Sequence, residues 1–404
     1  MSTGYLVIEV YEEDGVTPIP GAFLQIFGEN TNLNITTNAS GQTEKLSLDA
    51  PDIEYSLEPQ ENVRPYSVYS IKVQKEGYET SIIEGVEVMA SETSIQKINL
   101  LKGTTGITYE ELPPHVLWGD YPPMIDDQIN ITESVNERVY PRVLIPEYII
   151  VHNGTPSSSA TNYVVSFPDY IKNVASSEIY STWPKETIKA NVLAIISFAL
   201  NRIYTEWYPS RGYNFTITSS TAYDQKYTHG RTIFQSISDV VDEIFNNYIK
   251  LPNVSQPFFA QYNDGIKTNN PGWLSQWGSK SLGDSGYDAL QIIRYYYNPN
   301  MMIMEADNSI GLPYSFPGYN LSMGSCGEEV QILQNQLNKI SGNYPAIPKI
   351  LQPNGVFGED TQTSVKKFQE VFGLPITGTV NYATWYKISY IFVAVSKMIQ
   401  GIYG

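Results

Sequence analysis

Apolar and polar positions alternate over the first hundred residues. Leu6, Ile8 and Val10 fall on one side of an extended chain, with Val7 and Glu9 on the other. Ala22, Leu24 and Ile26 repeat the pattern, as do Tyr69, Ile71 and Val73. Glu13-Asp14-Gly15, Pro20-Gly21, Asn38-Ala39-Ser40-Gly41 and Glu76-Gly77-Tyr78 supply turn chemistry between the runs. The pattern predicts an antiparallel all-β sandwich over 1–101. The period is lost over 102–146, where Pro113-Pro114, Pro122-Pro123, Pro141 and Pro146 are scattered among acids. Each proline lacks an N–H and pushes its predecessor toward extended backbone, so this stretch is expected to be a linker.

Helical spacing dominates 147–300. After a strand-like Tyr148-Ile149-Ile150-Val151-His152, one helix is expected over 168–177 and a second behind Pro184. In the second, Ile188, Val192, Ile195, Ile196, Ala199 and Ile203 make one apolar stripe, which Leu193 and Leu200 widen. Further helices are expected over 240–249 and 287–297, with strands near 215–218 and 258–261. The class is α+β. A short linker over 301–323 leads to a small helical unit, 324–404. There Val330, Leu333 and Leu337 share one face and Val365, Phe368 and Phe372 another, while Gly355, Gly358, Gly373 and Gly378 mark turns. Phe392, Val393, Val395 and Ile399 predict one more packed helix at the end.

Charge narrows the partners. The 404 residues carry a net −17, which argues against nucleic acid and against an anionic membrane surface. The imbalance is concentrated: residues 1–142 hold 23 acids and 8 bases, net −15, and the rest of the chain is nearly neutral. The first ten residues have neither a basic stretch nor a long apolar run, so no Sec signal is expected. The apolar run 192–200 is too short for the roughly 20 residues of a membrane span. A lone cysteine, Cys326, and three scattered histidines, His115, His152 and His229, form no metal-binding spacing. Neither metal nor cofactor is expected.

The same inventory bears on catalysis. A serine could pair with His152 or His229, but no Gly-x-Ser-x-Gly turn accompanies them. Glycan cleavage needs carboxylic acids instead. Glu178 is the candidate: it sits in Val174-Ala175-Ser176-Ser177-Glu178-Ile179-Tyr180, at a junction of two expected helices, with no acid between Asp169 and Glu186. An apolar setting raises a carboxyl pKa, as an acid catalyst at neutral pH requires.

Three stretches resemble known families. Pro18-Ile19-Pro20-Gly21-Ala22, Thr37-Asn38-Ala39-Ser40-Gly41-Gln42-Thr43 and Val73-Gln74-Lys75-Glu76-Gly77-Tyr78 resemble the carboxypeptidase regulatory-like domain, a non-catalytic β module. Gly324-Ser325-Cys326-Gly327-Glu328, Gly355-Val356-Phe357-Gly358, Phe368-Gln369, Gly373-Leu374-Pro375, Thr377-Gly378 and Thr384-Trp385 resemble the peptidoglycan-binding type 1 domain, which implies docking onto bacterial wall glycan. Between them, 170–200 with Glu178, Ser219-Ser220-Thr221-Ala222-Tyr223-Asp224-Gln225-Lys226-Tyr227, and Ser275-Gln276-Trp277-Gly278 resemble the stage II sporulation protein D family of lytic transglycosylases. That resemblance implies Glu178 as general acid and base, with Gln225, Tyr227, Ser275, Gln276 and Trp277 around the glycan groove; packing and turn roles are the alternative for each. Residues 193–199 lack the arginine common there in that family, and the histidine–cysteine pattern of its zinc-bearing members is missing.

The order of units resembles the clostridial spore cortex-lytic enzymes. This implies a precursor switched on in germination by a subtilisin-like protease, cut near Arg142-Val143, made in the mother cell and held in the spore at the cortex. Two alternatives stay open: a non-catalytic wall-binding spore protein and a two-carboxylate muramidase.

Overall fold

A computed structural model of the chain describes residues 2–60, 63–115, 143–310, 314 and 316–396. It is a multidomain, mixed α/β structure with a β-rich front and a helical end. At the front stand β1 (Ser2–Glu12), β2 (Phe23–Gly28), β3 (Thr31–Thr36), β4 (Leu46–Ala50), β5 (Tyr66–Gln74), β6 (Thr80–Met89), β7 (Thr93–Leu100) and β8 (Ile107–Glu111), with a one-turn helix α1 (Glu54–Leu57) after β4. One sheet runs β4-β1-β7, the other β3-β2-β5-β6-β8. The predicted alternation closes the space between them: Leu6, Ile8, Leu24, Ile26, Ile71 and Val73 are all fully buried in one core.

β8 corrects the linker expectation for 102–146. Ile107–Glu111 extends the second sheet by pairing in parallel with β6, Thr80 against Ile107 through Glu84 against Glu111. It is an edge strand whose Ile107 and Tyr109 stay exposed, so neither face carries the burial pattern that advertises a strand. Most of the remaining linker, including Pro122-Pro123, Pro141 and Arg142, lies outside the described residues.

The middle unit contains β9 (Leu144–Pro146), β10 (Tyr148–His152), β11 (Asn162–Ser166), β12 (Ile217–Thr218), β13 (Ile233–Phe234), β14 (Asn247–Lys250), β15 (Tyr262–Asn263), β16 (Leu274–Ser275), β17 (Met302–Glu305) and β18 (Asp307–Ile310). Its helices are α2 (Phe167–Glu178), α3 (Lys185–Tyr204), α4 (Gln235–Ile244), α5 (Gln276–Asp284) and α6 (Ala289–Tyr296). Strand β10 is the centre of a sheet ordered β11-β10-β12. α3 is buried nearly all round, wider than the predicted stripe, because α2, α4, α5 and α6 surround it.

Two sequence expectations shift here. The 240–249 helix is the end of α4 followed by β14, since a continuous apolar run reads alike in either conformation. Residues 258–261 precede the short β15 and are not a strand themselves. The 301–323 linker also begins with paired strands: β17 lies antiparallel to β14, and β18 parallel to β9. Such short strands find partners only through distant chain, so nothing local announces them.

The last unit is α7 (Glu328–Ile340), α8 (Glu359–Val371) and α9 (Tyr382–Val395) around Trp385, Phe357 and Phe368, all essentially inaccessible. The expected terminal helix is the second half of α9; Ile399 lies outside the described residues. No described helix is long and apolar enough to cross a membrane.

The units are not separate beads. β13 adds to the front sheet, giving β4-β1-β7-β13 with Ile233 opposite Ile95 and Phe234 opposite Ser94. Tyr11, Tyr66 and Met89 from the front belong to the hydrophobic cluster that fills the middle and rear units.

Candidate active site

Helix α2 aims the candidate acid. Ser166 caps its first turn by accepting from the Asp169 N–H, and Pro168 occupies the first turn, where no N–H is needed. Eleven of its residues, all but Asp169, are buried. At its far end Glu178 is 1% exposed. Its Oε1 accepts from the Lys226 N–H at 2.8 Å, and its Oε2 is buried as well. Burial pushes the carboxyl up to about 7, against the pull of the Tyr262 hydroxyl and of the Lys226 N–H and ammonium. A group at that value is present in both protonation states at neutral pH, the condition for giving a proton in one step and taking one in the next.

The Asp224-Gln225-Lys226-Tyr227 stretch holds that acid in place. Asp224 accepts from Arg202 Nε at 2.8 Å, the Tyr208 hydroxyl at 2.6 Å, and the Thr218 N–H and hydroxyl at 3.0 and 2.7 Å. Gln225, fully buried, accepts from the Tyr170 hydroxyl and donates to the Ile195 carbonyl and the Tyr262 hydroxyl. Its amide is therefore engaged within the protein, and its effect is to present the next N–H, that of Lys226, to Glu178. The Tyr227 ring stacks on Tyr170 at 5.8 Å, and its hydroxyl lies 3.2 Å from His229 Nδ1.

The Ser275-Gln276-Trp277 stretch closes the other side. Ser275 caps α5 by accepting from the Gly278 N–H at 2.9 Å. Trp277 packs on Trp183 at 4.9 Å and on Tyr180 at 6.0 Å, both in the loop that follows Glu178. Gln276 is 1% exposed, yet both of its amide atoms find no hydrogen-bond partner among the described residues. Asn263, beside Tyr262 on β15, is in the same state. Ser176 and Ser177 next to the acid likewise have unused hydroxyls. Buried polar groups are nearly always bonded, so this set is what a hydroxyl-rich ligand would be expected to satisfy. Sequence reading missed Asn263, because an asparagine followed by Asp264-Gly265 reads as a turn.

No described hydrogen bond joins a histidine to Glu178, although His229 reaches the Tyr227 hydroxyl and His115 packs edge-on against Tyr180 at 5.1 Å. His152 Nδ1 is 2.8 Å from Asn162 Oδ1, and its Nε2 is 3.2 Å from Ser158 Oγ, a hydroxyl already donating to the Thr155 carbonyl. His229 stacks on Tyr163 at 3.8 Å. Val143 is buried at the foot of β9.

Burial of Glu178 has a stability consequence. With its carboxyl raised from 4.5 to about 7 in the fold, ionisation is penalised there and not in the unfolded chain. Stability is therefore undiminished by this group below about pH 4.5 and falls as pH rises through 7, by about 3 kcal/mol in full. Glu178→Gln should unfold at higher denaturant than the wild type at pH 8, with the gap closing toward pH 4.5. Equal midpoints at pH 8 would contradict the buried, protonated carboxyl.

Two comparisons with known families fall on these units. Residues 157–247, which hold Glu178 and Gln225, match the family described as "Stage II sporulation protein". Residues 326–388 match "Putative peptidoglycan binding domain". No curated protein matches the chain. Among solved structures, the SleB N-terminal domain is 29% identical, with 19% of this chain and 99% of that one aligned and a TM-score of 0.17. The Bacillus anthracis TIE protein is 24% identical over 25% of this chain and 17% of its own, TM-score 0.19. The Klebsiella pneumoniae 5-hydroxyisourate hydrolase is 15% identical over 24% and 91%, TM-score 0.16. With TM-scores this low, none of the three bears on function. The two family matches do: a stretch similar to a stage II sporulation protein precedes one similar to a peptidoglycan-binding domain, which supports a sporulation protein that acts on the cell wall.

Proposed function

We propose that the protein is a lytic transglycosylase of spore cortex peptidoglycan, with Glu178 as its single acid and base. The observation that carries this reading is a buried carboxyl poised at about 7 among unsatisfied amides and hydroxyls. Glu178 gives its proton to the glycosidic oxygen as the bond to C1 of the muramoyl residue breaks. The resulting carboxylate takes the proton of that sugar's own 6-hydroxyl while the 6-oxygen bonds to C1. The proton count on Glu178 is restored, no water is consumed, and a 1,6-anhydro end is formed. The Lys226 N–H favours the carboxylate stage; the dry surroundings favour the acid stage. Gln276 and Trp277, with Ser275 setting the start of α5, are assigned to the glycan site, while Gln225 and Tyr227 support it from behind. The rear module holds the enzyme on its substrate, peptidoglycan.

The enzyme is stored as a zymogen in the spore and is activated by a subtilisin-like protease near Arg142-Val143. Removing the acidic front would leave a nearly neutral body, better suited to an anionic wall. Because Val143 is buried, cutting at this bond requires local opening at the start of β9.

Mass spectrometry of products from isolated cortex tests the reaction. Muropeptides lacking one water at the muramic end, the 1,6-anhydro form, are expected. Reducing ends throughout would identify a hydrolase and remove the single-carboxyl mechanism.

A further inference from the structure

The front unit, through its strands and residues 113–115 behind them, is joined to the middle unit by a buried polar network. Glu87 on β6 is 1% exposed and meets Arg231, the residue before Thr232-Ile233, with Arg231 Nη1 donating to Glu87 Oε1 at 2.9 Å. Arg231 Nη2 donates to the Pro113 carbonyl at 3.0 Å, and the His115 N–H donates to Glu87 Oε1 at 2.8 Å. Beside them the Thr232 hydroxyl donates to Gln96 Oε1, and Gln96 Nε2 to the Gly230 carbonyl. The β7–β13 pairing continues the seam. It ends at the loop behind the candidate acid: Trp183 Nε1 donates to the Ser56 carbonyl at 3.0 Å, and Thr182 Oγ1 to Ser56 Oγ at 2.7 Å. The front unit also grips the rear one, with Gln42 Nε2 donating to the Val371 carbonyl and the Tyr344 hydroxyl to the Val16 carbonyl.

We infer that residues 2–115 form a plug that stays bound after the chain is cut, and that opening the Glu87–Arg231 latch, not the cut alone, frees the face beside Glu178. The partner of this surface is thus the protein's own front segment as a separate chain. The latch can reach the acid: Arg231 follows Lys226, whose N–H holds Glu178, by five residues. A shared strand ladder and a desolvated ion pair resist separation, because removing either charge strands the other. The gating half of this inference rests on the transglycosylase reading; the retention half does not.

The test uses the full chain with a site-specific protease sequence replacing residues 126–132, nicked and run through size exclusion at low micromolar concentration, with cortex solubilisation followed in parallel. The two pieces of the otherwise wild-type chain should co-elute and digest slowly. After Glu87→Ala they should associate about 100-fold more weakly, separate on the column, and digest faster. Thr232→Ala, a milder change at the same seam, should weaken association about tenfold and guards against a Glu87→Ala chain that does not fold. Immediate separation of the wild-type pieces, or undiminished association in both variants, would overturn the inference. If the pieces behave as expected yet separation yields no muropeptides, it is the assignment of Glu178 that fails.

Discussion

Glu178→Gln should lower muropeptide release by about 10³-fold or more while leaving wall binding intact. Glutamine keeps the size of the side chain and can still accept from the Lys226 N–H, so the fold around it persists. It has no proton to give at neutral pH, and once the leaving oxygen is unprotonated both bond changes stall. The wild-type rate should also carry the signature of this carboxyl. The first step needs the acid form, so turnover on cortex should fall as pH rises through about 7. Lys226→Ala should move that fall to higher pH, because the lysine ammonium beside Glu178 favours its ionised form while the backbone N–H is unaffected by the change. A Glu178→Gln enzyme releasing product at the wild-type rate would move the chemistry to another residue.

Asp224→Ala should be the most destabilising polar substitution in the middle unit, costing about 3–5 kcal/mol. Arg202 would be left charged and buried, with its Nε–H deprived of its acceptor and its guanidinium still wedged against Trp207 at 4.3 Å and Phe259 at 4.7 Å. The Tyr208 hydroxyl and both Thr218 donors would also lose their acceptor. Urea unfolding should show the loss as a shifted midpoint with an unchanged slope. Because Gln225 and Lys226 follow directly, activity per folded molecule should drop too. A midpoint within about 1 kcal/mol of wild type would mean that the aspartate is not the anchor its four contacts suggest.

Asp224 also shows how far motif reading reaches. Its stretch was legible as part of the candidate site, yet Asp224 and Gln225 spend their polar atoms on Arg202, Tyr208, Tyr170 and Ile195. Two residues whose amide atoms stay unspent among the described residues are Gln276, which the sequence pointed to, and Asn263, which it did not. Hydrogen-bond saturation depends on neighbours far along the chain, so no local pattern could separate these two classes.

By itself the amino-acid order determined the alternating front strands, the Glu178 helix, the deep α3 stripe and the glycine-punctuated rear helices. Each rests on local periodicity, capping or turn chemistry, which act over a few residues. Tertiary structure decided the rest: that β8, β9, β17 and β18 find partners inside stretches read as linkers, that β13 completes the front sheet, and that Glu87 meets Arg231. It also decided the protonation of Glu178. A carboxyl pKa follows from how much water the fold removes, and that water is displaced by Lys226, Tyr262 and the units packed around them, none of which lies next to it in sequence.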